Sequence, residues 1–337
     1  NLTLFGGINF QENYTTQNLQ PELFFTFERI KIKKTAKSVG IAFIILLFIP
    51  RVCLYTLLWV LAILGQNGAK IITDPAFQQL WQIVVSMLMM VIPAFIIPRL
   101  EKRKTAELIS FKPPNKKLFL PFVLIGIGVC AFANIATNVI AAIMESFGIS
   151  YSAPETTVPT GIFGVVLVIL STAVTPALVE EFLMRGSVLG SVKDIGEDIA
   201  VIVSAVLFGL MHGNFVQMPF AFIVGLILAI AVIKTGSLWT GVAIHFINNF
   251  MSVLLGEFLP LGDSVFLNSA VTAGYFMISL TLGFVGILML KGRSKEALSL
   301  SAGELTASFK EKLIWFFTSP LIIIGIALTI AEGAGLF

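Results

Sequence analysis

The hydrophobic residues of this chain occur in long runs that are separated by short polar stretches. A run of about 20 apolar residues is long enough to cross the hydrocarbon core of a membrane as an α-helix. The runs lack the period-two alternation of transmembrane strands, so the pattern predicts helices. We predict nine spans, at about residues 39–65, 80–98, 118–146, 160–189, 198–213, 215–234, 238–257, 266–290 and 313–334.

The boundary between the fifth and sixth predicted spans is ambiguous. Only Gly213 and Asn214 separate the two apolar stretches, and the fifth stretch is short. The two could therefore form a hairpin that turns inside the membrane. Either arrangement returns the chain to Lys234 on the same side, so the sidedness of the later spans does not change.

The composition indicates the same fold class. Hydrophobic residues make up 57% of the chain and charged residues 12%, and the mean hydropathy is +0.95. These values exclude a water-soluble fold and indicate an all-α, polytopic transmembrane helical bundle of about 8–9 spans within the lipid bilayer. Cys53 and Cys130 both fall in predicted spans, where we expect them to be small, unpaired apolar side chains.

The basic residues predict the orientation of the bundle. Lys and Arg cluster at residues 29–37 and 99–117, whereas residues 148–160 and 258–265 contain neither. Because loops on the cytoplasmic side carry the positive excess, we predict a cytoplasmic N-terminus, in the cell membrane if the source is bacterial. This bias accounts for the net charge of +3, so nucleic acid is not expected as a partner.

Three regions are predicted along the chain. Residues 1–38 form a cytoplasmic or interfacial segment, and residues 39–291 form the transmembrane bundle. Residues 292–337 contain a cytoplasmic linker and the last transmembrane helix. Arg51 lies in the first span directly after Pro50, and a charge within a membrane is a functional hypothesis by default. The simpler interpretation is that this long side chain reaches polar groups beside a proline kink.

Ionisable side chains are concentrated in the fourth predicted span. Glu180 and Glu181 are adjacent, and Arg185 follows them. Glu181 and Arg185 are four residues apart and can pair on one helical face, while Glu180 points about 100° away. Glu180 is thereby free to present its carboxylate to a cavity. Pro176 removes a backbone donor, which would kink the helix or open it to water.

The only two histidines of the chain, His212 and His245, lie in or at the end of apolar stretches. His245 and Asn249 are four residues apart, so both can direct donors at one carbonyl oxygen, as in an oxyanion site. His212 is flanked by Gly209 and Gly213, a spacing that permits close helix approach. His212 could share an attacking water with Glu180.

These residues fall in three ordered motifs, Glu180-Glu181-Phe-Leu-Met-Arg185, Phe208-Gly-Leu-Met-His212 and His245-Phe-Ile-Asn-Asn249. The motifs resemble those of the CPBP family, which contains the CAAX proteases and bacteriocin-processing (Abi) proteins. With their spans they cover about residues 160–257, which the resemblance implies form a CAAX-protease-like catalytic core.

The resemblance also implies an activity, that of a glutamate-type intramembrane endopeptidase without a cofactor. Glu180 and His212 take the positions that activate water, and His245 and Asn249 take those of the oxyanion site. Glu181 and Arg185 would support the site or bind substrate. The implied partner is a membrane-associated or lipidated peptide or protein, such as a prenylated C-terminal tail or, in a bacterium, a leader peptide.

Three alternatives remain at this point. Glu180, His212 and His245 could instead bind zinc as in a metalloprotease, although the chain lacks His-Glu-x-x-His and we expect no metal. A non-catalytic scaffold or bacteriocin-immunity protein would use the same residues for helix packing. A secondary transporter would also hold intramembrane charges, but the two halves of the chain share no repeated motif.

Overall fold

The computed structural model describes residues 3–4, 8–9, 21–148, 158–259, 264–293 and 298–336. Strands β1 (Thr3–Leu4) and β2 (Ile8–Asn9) form a two-residue antiparallel pair. All other regular elements in these ranges are helical, which confirms the helical-bundle fold class. Predictions for the rest of residues 1–20, and for the loops at 149–157 and 260–263, lie outside the described residues.

Most helices are regular α-helices. They are α1 (Pro21–Leu64), α2 (Gln66–Ile72), α3 (Pro75–Glu101), α4 (Thr105–Leu108), α5 (Lys116–Ser146), α6 (Gly161–Ile169), α7 (Thr175–Glu181), α8 (Leu189–Val192), α9 (Glu197–Leu210), α10 (Gln217–Thr235), α11 (Leu238–Val253), α12 (Val265–Leu290), α13 (Phe309–Phe317) and α14 (Pro320–Gly333). Three π-helical turns interrupt or extend them, at Leu170–Val174, Phe182–Val188 and Leu254–Phe258.

The described residues contain seven helices that are long and apolar enough to cross a membrane, or eight if the bent pair α13 and α14 counts as one span. The chain is therefore an integral, multi-pass membrane protein. Helix α1 continues without a break from Pro21 through the first predicted span. The two helices of the last predicted span meet at an angle of 71°.

The fifth predicted span is the short helix α9. It has 14 residues, which rise about 21 Å, less than the roughly 30 Å hydrocarbon core of a typical membrane. Helix α9 therefore fits the hairpin alternative better than a full span, whereas α10 is itself long and apolar enough to cross a membrane. The residues of this turn include His212.

The π-helical turn Phe182–Val188, with α8 after it, lies in the interior of the bundle. Its residues Leu183, Met184 and Val188 are almost fully buried. Ser204 of α9 donates a hydrogen bond to the Met184 carbonyl, and Ser187 donates one to the Ala94 carbonyl of α3. These contacts attach the segment that carries Glu180 and Glu181 to its neighbours on two sides.

Candidate functional site

Two π-helical turns flank α7, the short helix that ends with the two acids. One turn, Leu170–Val174, precedes α7, and the other, Phe182–Val188, follows it. A π turn disrupts the regular i to i−4 hydrogen bonding of an α-helix and is frequent at functional sites. The helix is thus irregular on both sides of the acids.

Pro176 accounts for one free carbonyl in this helix. In a regular α-helix the carbonyl of Thr172 would accept from the N–H of residue 176, and proline has none. The Thr172 carbonyl instead accepts from the side-chain amide of Asn249, at 3.1 Å. Pro176 in this way gives a motif residue of α11 a fixed partner on the segment before α7.

Glu181 is the centre of a buried polar cluster. Its Oε1 accepts from Arg185 Nη1 at 2.8 Å and from His245 Nδ1 at 3.0 Å. The side chains of Glu181 and Arg185 are both fully buried. Arg185 also donates to the Gly225 carbonyl of α10 at 3.2 Å. The cluster therefore joins three separate segments of the bundle, and the predicted pairing of Glu181 with Arg185 is present.

Two polar atoms of the cluster lack a hydrogen-bond partner. Among the described residues, Glu181 Oε2 and Arg185 Nε are buried and make no hydrogen bond. Gly241 of α11 lies against this carboxylate, because a Cβ added there would be 2.6 Å from Glu181 Oε2. The absence of a side chain at residue 241 thus allows α11 to approach Glu181.

Glu180 points away from the Glu181–Arg185 pair, as the 100° rotation between neighbouring helical residues requires. Its side chain is 16% exposed, and its Oε2 lies 3.9 Å from His245 Nε2. His245 is therefore placed between the two carboxylates, with Nδ1 facing Glu181 and Nε2 facing Glu180. Of the two acids, only Glu180 is partly exposed.

The hydrogen bonds fix which nitrogen of each histidine is available. A carboxylate or carbonyl oxygen only accepts, so the nitrogen beside it donates. His245 Nδ1 is next to Glu181, and His212 Nδ1 lies 2.7 Å from the Phe208 carbonyl. Both rings therefore donate from Nδ1, which leaves Nε2 of each ring for another partner.

Phe208 connects the two histidines. Its ring lies edge-to-face with His212 and with His245, at centroid distances of 5.1 and 5.8 Å. The guanidinium of Arg185 lies 4.2 Å from the same ring centroid, within the range of a cation–π interaction. The sequence analysis named Phe208 only as the start of a motif. Its position four residues before His212 could have indicated a contact, because Glu181 and Arg185, and likewise His245 and Asn249, have the same spacing.

The structure brings together Glu180, Glu181, Arg185 and His245 in direct contacts. Asn249 lies one helical turn beyond His245 and contacts Thr172. His212 reaches the cluster through Phe208, and within the described ranges no hydrogen bond or ion pair links it to Glu180. A water shared by Glu180 and His212 remains a prediction.

An apolar cavity of about 260 Å³ is lined by residues that neighbour the cluster in sequence, and none of the cluster residues is part of its lining. It is open on one side and is lined almost entirely by apolar atoms. Val179 and Phe182 immediately precede and follow the two acids, and Val242 lies one turn before His245. The lining residues are Val91, Phe95, Phe111, Leu178, Val179, Phe182, Leu238, Trp239 and Val242.

The alternative zinc ligands do not converge in this conformation. In the part of the chain that the structure describes, no three His, Cys, Asp or Glu side chains are close enough together to hold a metal ion. Glu180 and His245 approach each other, whereas His212 contacts the Phe208 ring and, within the described residues, no hydrogen bond or ion pair joins it to either of them.

The fold and the cluster define a multi-pass membrane protein with a charged site buried among its helices. The family model described as Type II CAAX prenyl endopeptidase Rce1-like matches residues 162–251. This range contains all three motifs, so the resemblance to the CPBP family is confirmed, and the match indicates a protease. No curated protein and no solved structure matches the chain.

Proposed function

We propose that this protein is an intramembrane endopeptidase that hydrolyses a peptide bond of a membrane-associated or lipidated peptide. The observation that carries the proposal is the contact of Glu181 with both Arg185 and His245. This contact unites the first and third motifs in the region that the endopeptidase family model matches. Glu180 lies next to this buried cluster, and its side chain is partly exposed.

Glu180 is the general base in this proposal. Glu181 is fully buried and its Oε1 already accepts two hydrogen bonds, whereas Glu180 is partly exposed. Glu180 takes a proton from water as the water oxygen attacks the scissile carbonyl carbon. Protonated Glu180 then gives that proton to the leaving amine nitrogen as the C–N bond breaks. His212 Nε2 accepts a second hydrogen bond from the same water. A positioned general base typically contributes about 10²- to 10⁴-fold to the rate.

His245 and Asn249 stabilise the oxyanion in this proposal. His245 can donate from Nε2 only when both ring nitrogens carry protons, because Nδ1 donates to Glu181. In that form its charge balances the two carboxylates together with Arg185. Asn249 uses one amide hydrogen for Thr172, and its second hydrogen is available to the oxyanion.

The apolar cavity supports a substrate with an apolar group near the scissile bond. Its walls include residues that adjoin the acids in sequence and a residue one turn from His245. Burial of apolar surface contributes about 25 cal/mol per Å², so such a group would add affinity and orient the peptide. We therefore expect a lipidated peptide to be cleaved more efficiently than the same peptide without its lipid.

The experiment that tests this function uses purified protein in lipid nanodiscs and peptides that end in Cys-aliphatic-aliphatic-X. Each peptide is supplied with and without a prenyl group, and products are identified by mass spectrometry. We expect cleavage after the modified cysteine, with the higher kcat/KM for the prenylated peptide. Absence of cleavage by folded protein of any peptide in the set would oppose this substrate class.

A chelator separates the glutamate mechanism from the zinc alternative. If Glu180 acts without a metal, activity after dialysis against a strong chelator should stay within about twofold of the untreated protein. In that case no metal ion is needed to activate the water. Loss of activity that added zinc restores would instead support a zinc mechanism, with Glu180, His212 and His245 as the candidate ligands. The metal content of the purified protein, measured before and after dialysis, shows whether the chelator removed a bound metal.

Replacing Asn249 with alanine should lower kcat about 100- to 1,000-fold, the usual effect of losing one oxyanion donor. KM should change little, because the lost hydrogen bond forms mainly in the transition state. Steady-state kinetics on the cleaved peptide provide both constants. If Asn249→Ala folds normally and cleaves at the wild-type rate, Asn249 is a packing residue.

Asn249 also bonds the Thr172 carbonyl, so its stability effect must be separated from its catalytic effect. Leaving that partly buried carbonyl unpaired should cost about 1–3 kcal/mol of unfolding free energy at most. Pro176→Ala supplies a backbone N–H four residues after Thr172 and offers the carbonyl another donor. We expect the double variant Pro176→Ala/Asn249→Ala to regain stability and to remain slow.

A further inference from the structure

An ion pair outside the matched family region lies against the turn that carries His212. Arg51 Nη2 of α1 and Glu332 Oε1 of α14 are 3.1 Å apart, and their side chains are 31% and 36% exposed. Arg51 Nη1 also donates to the Leu47 carbonyl at 2.6 Å, which fixes the guanidinium against its own helix. Both charges lie in apolar helices, where ionisable groups are costly and generally serve a function.

The end of α14 contacts this turn at two points. Gly213 has a φ of +67°, and a Cβ added there would lie 3.4 Å from the carboxylate carbon of Glu332. A Cβ added to the next residue, Gly333, would lie 3.1 Å from the Phe215 ring and 3.2 Å from the Gly213 carbonyl. The carboxylate of Glu332 is thus packed directly beside the residue that follows His212.

The backbone of His212 lies beyond the regular part of α9. Helix α9 ends at Leu210, and the His212 N–H donates to the Gly209 carbonyl at 3.2 Å. The Gly213 N–H donates to the Leu210 carbonyl at 3.1 Å. These are the bonds of a tight turn, so the backbone position of His212 depends in part on what holds the turn from outside, while the ring keeps its Nδ1 contact with the Phe208 carbonyl.

We infer that Glu332, held in place by Arg51, is a positioning residue for His212. The last helix, whose role the three motifs do not explain, thereby fixes the middle motif from outside the matched region. The catalytic consequence rests on the proposed function of His212. The effect on the position of His212 does not, and it can be measured in protein that is never given a substrate.

The chain has only two histidines, so ¹³C-histidine NMR in nanodiscs gives one ring signal for each. The variant His245→Gln assigns them. We expect Glu332→Gln and Arg51→Met each to shift the His212 signal and to leave the His245 signal in place. Arg51→Lys keeps an ion pair and should keep the wild-type spectrum. The double variant should shift the His212 signal no further than either single change, since the two residues act as a unit.

Kinetics supply the second measurement. A displacement of about 1 Å in a catalytic group can cost about 100-fold, so a smaller displacement of His212 should lower kcat about tenfold. KM should stay within about twofold, because His212 does not bind the ground state in this mechanism. Thr329→Val is the matched control, since its hydroxyl donates to Gly325 within α14 and the change leaves the ion pair intact.

Three results decide the inference. If Glu332→Gln alters neither the His212 signal nor kcat, the pair only joins α1 to α14 and the inference is wrong. If both histidine signals move together, as in a general loosening that Thr329→Val also produces, it is equally wrong. If the His212 signal moves but wild-type protein cleaves no peptide, the positioning role stands and the proposed function fails.

Discussion

Replacing Glu180 with glutamine should lower kcat about 10²- to 10⁴-fold, the range that a positioned general base contributes. Glutamine has nearly the same shape as glutamate, but its amide does not take a proton from water at neutral pH. Because Glu180 makes no short hydrogen bond to another described residue and approaches His245 Nε2 only to 3.9 Å, the variant should fold normally. Initial rates of peptide cleavage measure the effect.

A control glutamate shows that the loss is specific to this position. Glu145 is exposed near the end of α5, and Glu145→Gln should cleave at the wild-type rate. Binding of a labelled peptide should be retained in Glu180→Gln, because this variant lacks only the proton acceptor. A Glu180→Gln protein that remains fully active with an unchanged pH profile would contradict the assignment of the base.

The same variant can identify the natural substrate. Cells that carry Glu180→Gln should accumulate the uncleaved precursor, whereas wild-type cells should contain its shorter product. Comparison of membrane peptides from the two strains by mass spectrometry therefore reports directly on the cleavage site. An absence of any difference, in protein shown to be expressed equally, would favour a non-catalytic role.

Spacing along one helix predicted the local contacts of the site. Side chains four residues apart lie on one helical face, which is why the pairing of Glu181 with Arg185 followed from the sequence. The contact of His245 with Glu181 joins residues 64 positions apart. The sequence did not predict that contact, since spacing along one helix carries no information about contacts between separate helices.

Contacts between separate segments could not be predicted from the sequence. The bond from Asn249 to Thr172 depends on how α11 packs against the stretch before α7, although Pro176 alone indicated a free carbonyl. The ion pair of Arg51 with Glu332 connects two helices at opposite ends of the chain. From the sequence we expected Arg51 to reach polar groups, but the sequence did not identify Glu332 as its partner.

The number of spans shows the limit of hydropathy. The α9 stretch is as apolar as the helices that cross the membrane, and its buried residues face other helices on most sides. Apolarity therefore identifies residues removed from water and does not measure how far a helix extends. The orientation of the bundle and the division at residues 38 and 291 stay predictions from charge and pattern.

Replacing Arg185 with methionine should destabilise the protein by about 3–5 kcal/mol, the usual cost of leaving a buried charge without its partner. Glu181 is fully buried and would keep only the hydrogen bond from His245. Methionine fills similar space, so the effect reflects charge more than volume. The free energy of unfolding in mixed micelles is the measurement.

Two further variants separate the effect of the buried charge on stability from the effects of packing and of lost catalysis. Lys193 forms an exposed pair with Glu197, with 3.5 Å between its Nζ and Oε1, and Lys193→Met should cost about 1 kcal/mol or less. The double variant Glu181→Gln/Arg185→Met removes both buried charges and should be more stable than Arg185→Met alone. Its activity should nevertheless stay low, because the carboxylate that orients His245 is lost. If the double variant were instead less stable than Arg185→Met, the two charges would not act as a pair, and Glu181 would contribute to the fold independently of Arg185.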